Sequence, residues 1–318
     1  MPVTLSRSGS LGIIKISNPP WNILSKEIFL SLLDRAKEAR DDSNIKIVVL
    51  TGGSVFSAGA DVTEIYSLVN QGPEKVRELI AKANEVADTI ESLGNAGKPV
   101  IATIRRACLG GGNEIAMACN YRIATPDTMF GQPEIKLGII PGMGGTQRLP
   151  RLVEVANCWD LLLGGGLISA QEAKKIGLVD ELVDDPALRL KDLAAKNSPG
   201  EILAKSRSHK ANRYYPTMSP YISQAIVDRA KSNPYPRAAG AILEAVQKGL
   251  LTTLPMGLKI EQELFAEVIS WPETKAGLEK FLQKKGMMNK QGKPMTGWRL
   301  KLAHYLMALK MWWRKRKK

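Results

Sequence analysis

The sequence predicts an α/β layer fold, and three observations lead there. Short apolar runs of strand length alternate with longer stretches carrying helical periodicity. Each change of period falls at Gly, Pro or a polar turn. The alternation persists to about Asp192 and then lapses, so one layered core precedes a region of different character.

The elements follow in order. VTL and LGIIKI flank a Ser/Gly turn and read as a strand pair, with no apolar signal-peptide core. Lys26 to Arg40 places apolar residues at helical spacing, and IKIVVLTGG follows as a buried strand ending in a turn. PEKVRELIAKANEVADTIESLGNAGKP is a long amphipathic helix stopped by Gly and Pro. PVIATI is a short strand, NEIAMACN a helix, and YRIAT and MFGQPE are further short strands. LVEVANCWDLLLGGG and SAQEAKKIG read as helices. From Asp192 to about Tyr221 the chain is polar, Pro-bearing and weakly periodic, as expected of a linker. RAAGAILEAVQKGL, LKIEQELFAEVI and WPETKAGLEKFLQKK are helical, the last with Pro272 near its start. A hinge, GMMNKQGKPMTG, leads into the final segment. Three regions result: 1–190 as core, 191–285 as a helical extension, 286–318 as a basic tail.

Composition narrows the function classes. Of 318 residues, 44% are apolar and 24% charged, ordinary for a globular protein. Cys108, Cys119 and Cys158 show no C-x-x-C spacing, and His209 and His304 lie far apart. A zinc site or disulfide framework is therefore not expected, and no metal is assigned. Neither a P-loop nor a G-x-G-x-x-G pattern occurs, so nucleotide binding by those routes is unsupported. The net charge of +14 is uneven: Lys280 to Lys318 carries 13 Lys/Arg and no acid, leaving 32 basic against 31 acidic side chains before it. The terminal RKRKK is not a peroxisomal address, and a cytoplasmic protein is expected.

The chemistry concentrates at ACLGGGNEIAMAC, residues 107 to 119, where Glu114 is the one ionisable acid in an uncharged run. Burying a lone carboxylate is costly, so its presence asks for a reason. A helix beginning at the glycines offers unpaired amides and a partial positive charge. Glycine lets a guest approach that backbone, and a developing oxyanion is a suitable guest. The second glycine run, Gly164 to Gly166, is a control. There Ser169 and Glu172 form an S-x-x-E capping box, which accounts for that glutamate as a cap. Glu114 has Gly111 in the capping place, so a cap does not explain it. Two weaker stretches join it: FSAGADV (56–62), small residues after a strand, which alone reads equally as a tight turn, and FGQPEIKLGIIPGMGGTQR, where Glu134 alone reads as a turn carboxylate.

Together with NPPWNILS (18–25), KPVIATI (98–104), CLGGGNEIAMACNYRIA (108–124), GQPEIKLGIIPGMGGTQRLPRL (131–152) and ISAQEAKKIGLVDELV (168–183), these stretches closely resemble the enoyl-CoA hydratase/isomerase (crotonase) family. The resemblance covers most of residues 1 to 190 and implies a crotonase-type spiral of repeated ββα units with a helical C-terminal extension. It implies an oxyanion hole from the amides of Ala58 and Gly111, gripping a thioester carbonyl. Leu24, Ala58, Gly59, Ala60, Asp61 and Gly111 would line the acyl-CoA path, coenzyme A being part of the substrate and no further cofactor being needed. Glu114 would activate water and Glu134 exchange the C2 proton during hydration of a trans-2-enoyl-CoA in fatty-acid β-oxidation. The alternatives are an enoyl-CoA isomerase or other enolate-forming member, and an adaptor that retains the fold without chemistry. Arg105-Arg106 depart from the family pattern and are expected to narrow the site or reach the coenzyme phosphates.

Residues 234 to 282 resemble the segment after the hydratase half of multifunctional fatty-acid oxidation enzymes. That likeness implies a free-standing hydratase working with a separate 3-hydroxyacyl-CoA dehydrogenase subunit, and it leaves a homo-oligomer open. In the tail, Trp298, Leu302, Tyr305, Leu306, Leu309, Trp312 and Trp313 fall on one helical arc, with basic residues outside it. The segment is too short and too basic to span a bilayer. Peripheral contact with anionic lipid at the inner membrane surface fits residues 298–318, as does packing on this protein or a partner. Nucleic-acid binding has no fold signature to support it.

Overall fold

A computed structural model of the chain describes residues 1–196, 198–205, 217, 221–289 and 293–295. His209, His304 and the apolar stripe from Trp298 onward lie outside the described residues.

The chain opens with β1 (Val3–Ser8) and β2 (Leu11–Ile16), then α1 (Lys26–Asp41), β3 (Ile47–Thr51), α2 (Val62–Leu68), α3 (Pro73–Asn95) and β4 (Val100–Ile104). Next come β5 (Ala107–Leu109), α4 (Gly111–Ala118), β6 (Tyr121–Ala124), β7 (Met129–Gly131) and a 3-10 turn at Glu134–Leu137. The core ends with α5 (Gly145–Val153), α6 (Val155–Leu162), β8 (Leu167–Ser169), α7 (Ala170–Ile176) and β9 (Glu181–Leu182). The remaining helices are α8 (Pro186–Lys196), α9 (Pro199–Lys205), α10 (Gln224–Lys231), α11 (Pro236–Leu250), α12 (Leu254–Val268) and α13 (Pro272–Lys284).

The strands form two sheets. The larger runs β1-β2-β3-β4-β6-β9, parallel throughout except for the opening hairpin, and the smaller runs β5-β7-β8. Parallel strands are buried on both faces, which is why IVVLT and VIATI are nearly continuous apolar runs. The α/β expectation holds, including the helical C-terminal region. One hydrophobic cluster takes in Leu50 and Ile104 from the sheet, Leu93 from α3, and Ile242 and Phe265 from α11 and α12. The extension thus completes the main core.

Two expectations are corrected. The helix read from Leu152 to Leu163 is broken at Glu154, whose φ of 71° separates α5 from α6. Part of the linker read from Asp192 is helical, residues 192–196 ending α8 and Pro199–Lys205 forming α9, because a proline begins each helix where a missing amide costs nothing.

Candidate active site

The site begins with a backbone junction. β5 leads to Gly110, whose φ of 51° and ψ of −127° turn the chain into α4. A Cβ at Gly110 would lie 2.7 Å from Glu134 Oε1, and one at Gly112 would lie 2.7 Å from Ser57 Cβ. Glycine is therefore required on both counts, conformation at one position and close approach at both. The approach brings the start of α4 against the segment Ser57–Asp61, held from the other side by residues 21–24.

In that segment nearly every amide is spoken for. The Ser57 N–H donates to Ala107 O (2.9 Å), Gly59 N–H to Ser57 Oγ (3.1 Å) and Asp61 N–H to Leu24 O (3.0 Å). The Ala58 N–H donates to Trp21 O at 2.9 Å. Among the described residues no partner is recorded for the Ala60 N–H, and the Ala60 nitrogen lies 3.6 Å from where a Cβ on Gly111 would stand. Gly111 opens α4, so its own N–H has no intrahelical acceptor. The amide pair expected at Ala58 and Gly111 is corrected to Ala60 and Gly111. The reason is the Trp21 carbonyl, which already occupies the Ala58 donor.

Asn22 holds this architecture in place, and the sequence reading missed it. At a φ of 49° it projects Nδ2 onto Gly52 O (2.8 Å) and Val55 O (2.6 Å), pinning the loop before Phe56. Asp61 caps α2, its Oδ1 accepting from Thr63 N–H (2.8 Å) and Thr63 Oγ1 (2.6 Å).

Glu114 sits in the first turn of α4 with only 3% of its surface exposed. Its Oε1 accepts from the N–H groups of Met143 and Gly145, both at 2.8 Å. Desolvation pushes its pKa up to about 6, restrained by those two amides and by the Arg148 guanidinium. Glu134 opens the 3-10 turn, and its buried Oε2 has no hydrogen-bond partner among the described residues. Burial, then the charge of Glu114, then that of Glu261, hold its carboxyl well above the usual range. The environment thus favours an ionised Glu114 beside a protonated Glu134 at neutral pH. A third buried carboxylate, Glu261 on α12, is raised to about 8 by burial and by Glu114.

Both glutamates face one cavity of about 1010 Å³, and Leu24, Ala58, Gly59, Ala60, Asp61 and Gly111 line it with them. Every expected site residue is thereby brought together. α13 closes one side with Phe281. Seven lysines line the outer part: Lys26, Lys75, Lys82, Lys136, Lys280, Lys284 and Lys285. Three of them, Lys280, Lys284 and Lys285, fall in the acid-free stretch from Lys280 to Lys318 but lie in and at the end of α13, ahead of the basic tail, so part of that charge lines the cavity. Arg105 and Arg106 do not line it. Arg105 lies 3.9 Å from Asp185, while Arg106 turns the chain at a φ of 60°, and their carbonyls accept from the N–H groups of Phe56 and Met129. The expected role of the two arginines at the site is corrected accordingly: they belong to a backbone turn outside the cavity lining.

The chain is similar to known proteins in sequence and in fold. A probable enoyl-CoA hydratase of Bacillus subtilis is 33% identical over 284 residues, covering 89% of this chain and 96% of the relative. The human peroxisomal bifunctional enzyme is 32% identical over 84% of this chain, which spans only 36% of that longer protein. The crystal structure of the Bacillus anthracis enoyl-CoA hydratase superposes with a TM-score of 0.56 at 29% identity, covering 93% of this chain and 98% of that one. Residues 6–211 match the enoyl-CoA hydratase/isomerase family model, and the chain belongs to that family.

Proposed function

We propose that this site hydrates the 2,3 double bond of a trans-2-enoyl-CoA in fatty-acid β-oxidation. The observation that carries the reading is the placement of two buried carboxylates, biased towards opposite protonation states, beside the amides of Ala60 and Gly111 in one cavity. The thioester oxygen accepts from those two amides. Glu114 takes a proton from water, the water oxygen bonds to C3, and the C2=C3 electron pair moves towards the thioester, where charge gathers on the held oxygen. Glu134 then delivers a proton to C2, giving the 3-hydroxyacyl thioester, and exchange with solvent restores both carboxyls. Each carboxylate is worth about 10²–10⁴ in rate and each amide donor ~10²–10³.

The reaction adds the elements of water without net electron transfer, so the reading needs no redox cofactor. The lysines around the outer cavity suit the phosphates of coenzyme A, while the apolar interior suits the acyl chain. The unpartnered Oε2 of Glu134 also suits proton shuttling between C2 and C4, which supports an isomerase side activity. The resemblance to part of a bifunctional enzyme supports handing the product to a 3-hydroxyacyl-CoA dehydrogenase on a separate subunit. Among the described residues no helix is long and apolar enough to cross a membrane. The test follows the enoyl-thioester absorbance: wild type bleaches it, whereas Glu114→Gln and Glu134→Gln each lose about 10²–10⁴ in kcat. Unchanged turnover in both variants would refute the assignment.

A further inference from the structure

Glu261 has no place in the chemistry above, yet it is fully buried in the C-terminal extension. Its Oε1 accepts from the Gly144 N–H (2.5 Å), and its Oε2 accepts from the Thr146 N–H (2.8 Å) and the Thr146 hydroxyl (2.5 Å). Glu114 Oε1 takes the two alternate amides, Met143 and Gly145. Four consecutive N–H groups leading into α5 are therefore shared by two carboxylates, one from α4 and one from α12.

The two central positions of this turn present backbone alone. A Cβ at Gly144 would fall 2.0 Å from Arg148 Nη1, and one at Gly145 would fall 2.4 Å from Gln132 Nε2 and 2.9 Å from Glu114 Oε1. With side chains excluded at Gly144 and Gly145, the amides at this helix start are orphan donors that need acceptors, and a carboxylate on each side fixes the turn. Among the described residues both hydrogen bonds to the Glu114 carboxylate fall on Oε1, so the direction of its other oxygen depends on where this turn stands.

Resting on the hydratase reading, we propose that Glu261 is a positioning residue: by gripping Gly144 and Thr146 it holds Met143 and Gly145 where they aim the Glu114 carboxylate at the attacking water. When ionised, Glu261 accepts all three bonds, which a glutamine cannot do, because its NH2 end would face an N–H donor in place of an acceptor. A misplacement of about 1 Å at a catalytic group can cost ~10²-fold in rate.

The experiment uses the full chain with Glu261→Gln. The expected result is a ~10–100-fold fall in hydration kcat, with KM for the 2-enoyl-CoA within about twofold of wild type. Exchange of the C2 proton of a saturated acyl-CoA in D2O, which runs through Glu134 and the two amides and not through Glu114, falls by no more than about threefold, the change expected from removing the Glu261 charge near Glu134. In a Glu114→Gln background the further change Glu261→Gln has no effect on kcat, because the carboxylate to be aimed is already gone. Should Glu261→Gln fail to fold, Thr146→Val removes the hydroxyl that donates to Glu261 and accepts from Gln147 Nε2, which keeps its bond to Ala245 O, and it lowers hydration kcat about threefold with exchange little changed. Unaltered kcat, an equal fall in hydration and exchange, or an additive loss in the double variant would each overturn the proposal. A wild type that hydrates no 2-enoyl-CoA would sink the hydratase reading itself, and this proposal with it.

Discussion

The chain contains two runs of three glycines, and they put the same residue to opposite uses. At Gly110–Gly112 the missing side chains let a helix start press against a neighbouring loop and a glutamate, and the acid that follows is buried. At Gly164–Gly166 the glycines end α6 and turn into β8, with Gly165 at a φ of 57°. The acid that follows them, Glu172, is solvated and accepts from both Ser169 N–H and Ser169 Oγ at 2.8 Å. Its carboxyl is held below the usual range by those bonds, whereas that of Glu114 is pushed up by desolvation. A glutamate that stabilises its own helix stays ionised in water. A glutamate whose burial costs stability must be accounted for by chemistry.

The contrast breaks most readily at the site. Gly110→Ala forces a Cβ to 2.7 Å from Glu134 Oε1 at a φ that L residues rarely adopt. The displaced Glu134 should cost at least ~10²-fold in kcat, measured on a 2-enoyl-CoA. Gly166→Ala in the other run meets only Asp160 O at 3.7 Å, an ordinary contact, and should leave kcat within about twofold. Comparable losses from both would dissolve the distinction.

Gly111→Pro is the next largest test. Proline is well tolerated at the first position of a helix, so α4 should survive the substitution while one of the two free amides disappears. A loss of ~10²–10³ in kcat with near-normal circular dichroism is expected. Retained turnover would remove Gly111 from the reaction.

The same comparison shows what the sequence could and could not disclose. The α/β alternation was readable because buried parallel strands are apolar on both faces, as in Val100–Ile104. Glu114 stood out because no local cap explained it. The available amide was misassigned to Ala58, since amide availability is decided by the Trp21 carbonyl 37 positions away in the chain. Nothing in the alternating small residues of SAGAD separates Ala58 from Ala60. Glu261 was legible in principle: it follows Leu258 by three and precedes Phe265 by four, which puts it on the buried stripe of α12. It was hidden by Glu263 and Glu267 in the same helix, which make it look like one more solvated charge.

Acid–base behaviour sharpens the comparison further. Catalysis needs Glu114 ionised and Glu134 protonated, so kcat/KM should rise towards an acid limb near pH 6 and fall on the alkaline side as Glu134 loses its proton. Below the acid limb the loss is tenfold for each pH unit. A flat profile between pH 5 and 9 would separate these carboxylates from the rate.

The smallest effects are in stability, where the two regions should respond to pH with opposite sign. Glu134 has a folded-state pKa raised above its unfolded value, so its favourable contribution is complete below the unfolded pKa and is lost as pH rises through the folded one. At pH 8 part of its burial cost is therefore expressed, and Glu134→Gln should raise Tm by roughly 2–4 °C there while giving little at pH 4. Glu172 has the reverse linkage: its pKa is lowered by Ser169, so its contribution is present above the unfolded pKa and is lost as pH falls through the folded value. Ser169→Ala should lower Tm by roughly 2–4 °C at pH 8 and by less at pH 3, with kcat unchanged. Melting both variants across that range by calorimetry gives two curves of opposite slope if the glycine runs differ as argued. Parallel slopes would mean that Glu134 is ionised and solvated in the folded protein, and its role as the proton donor to C2 would fall with them.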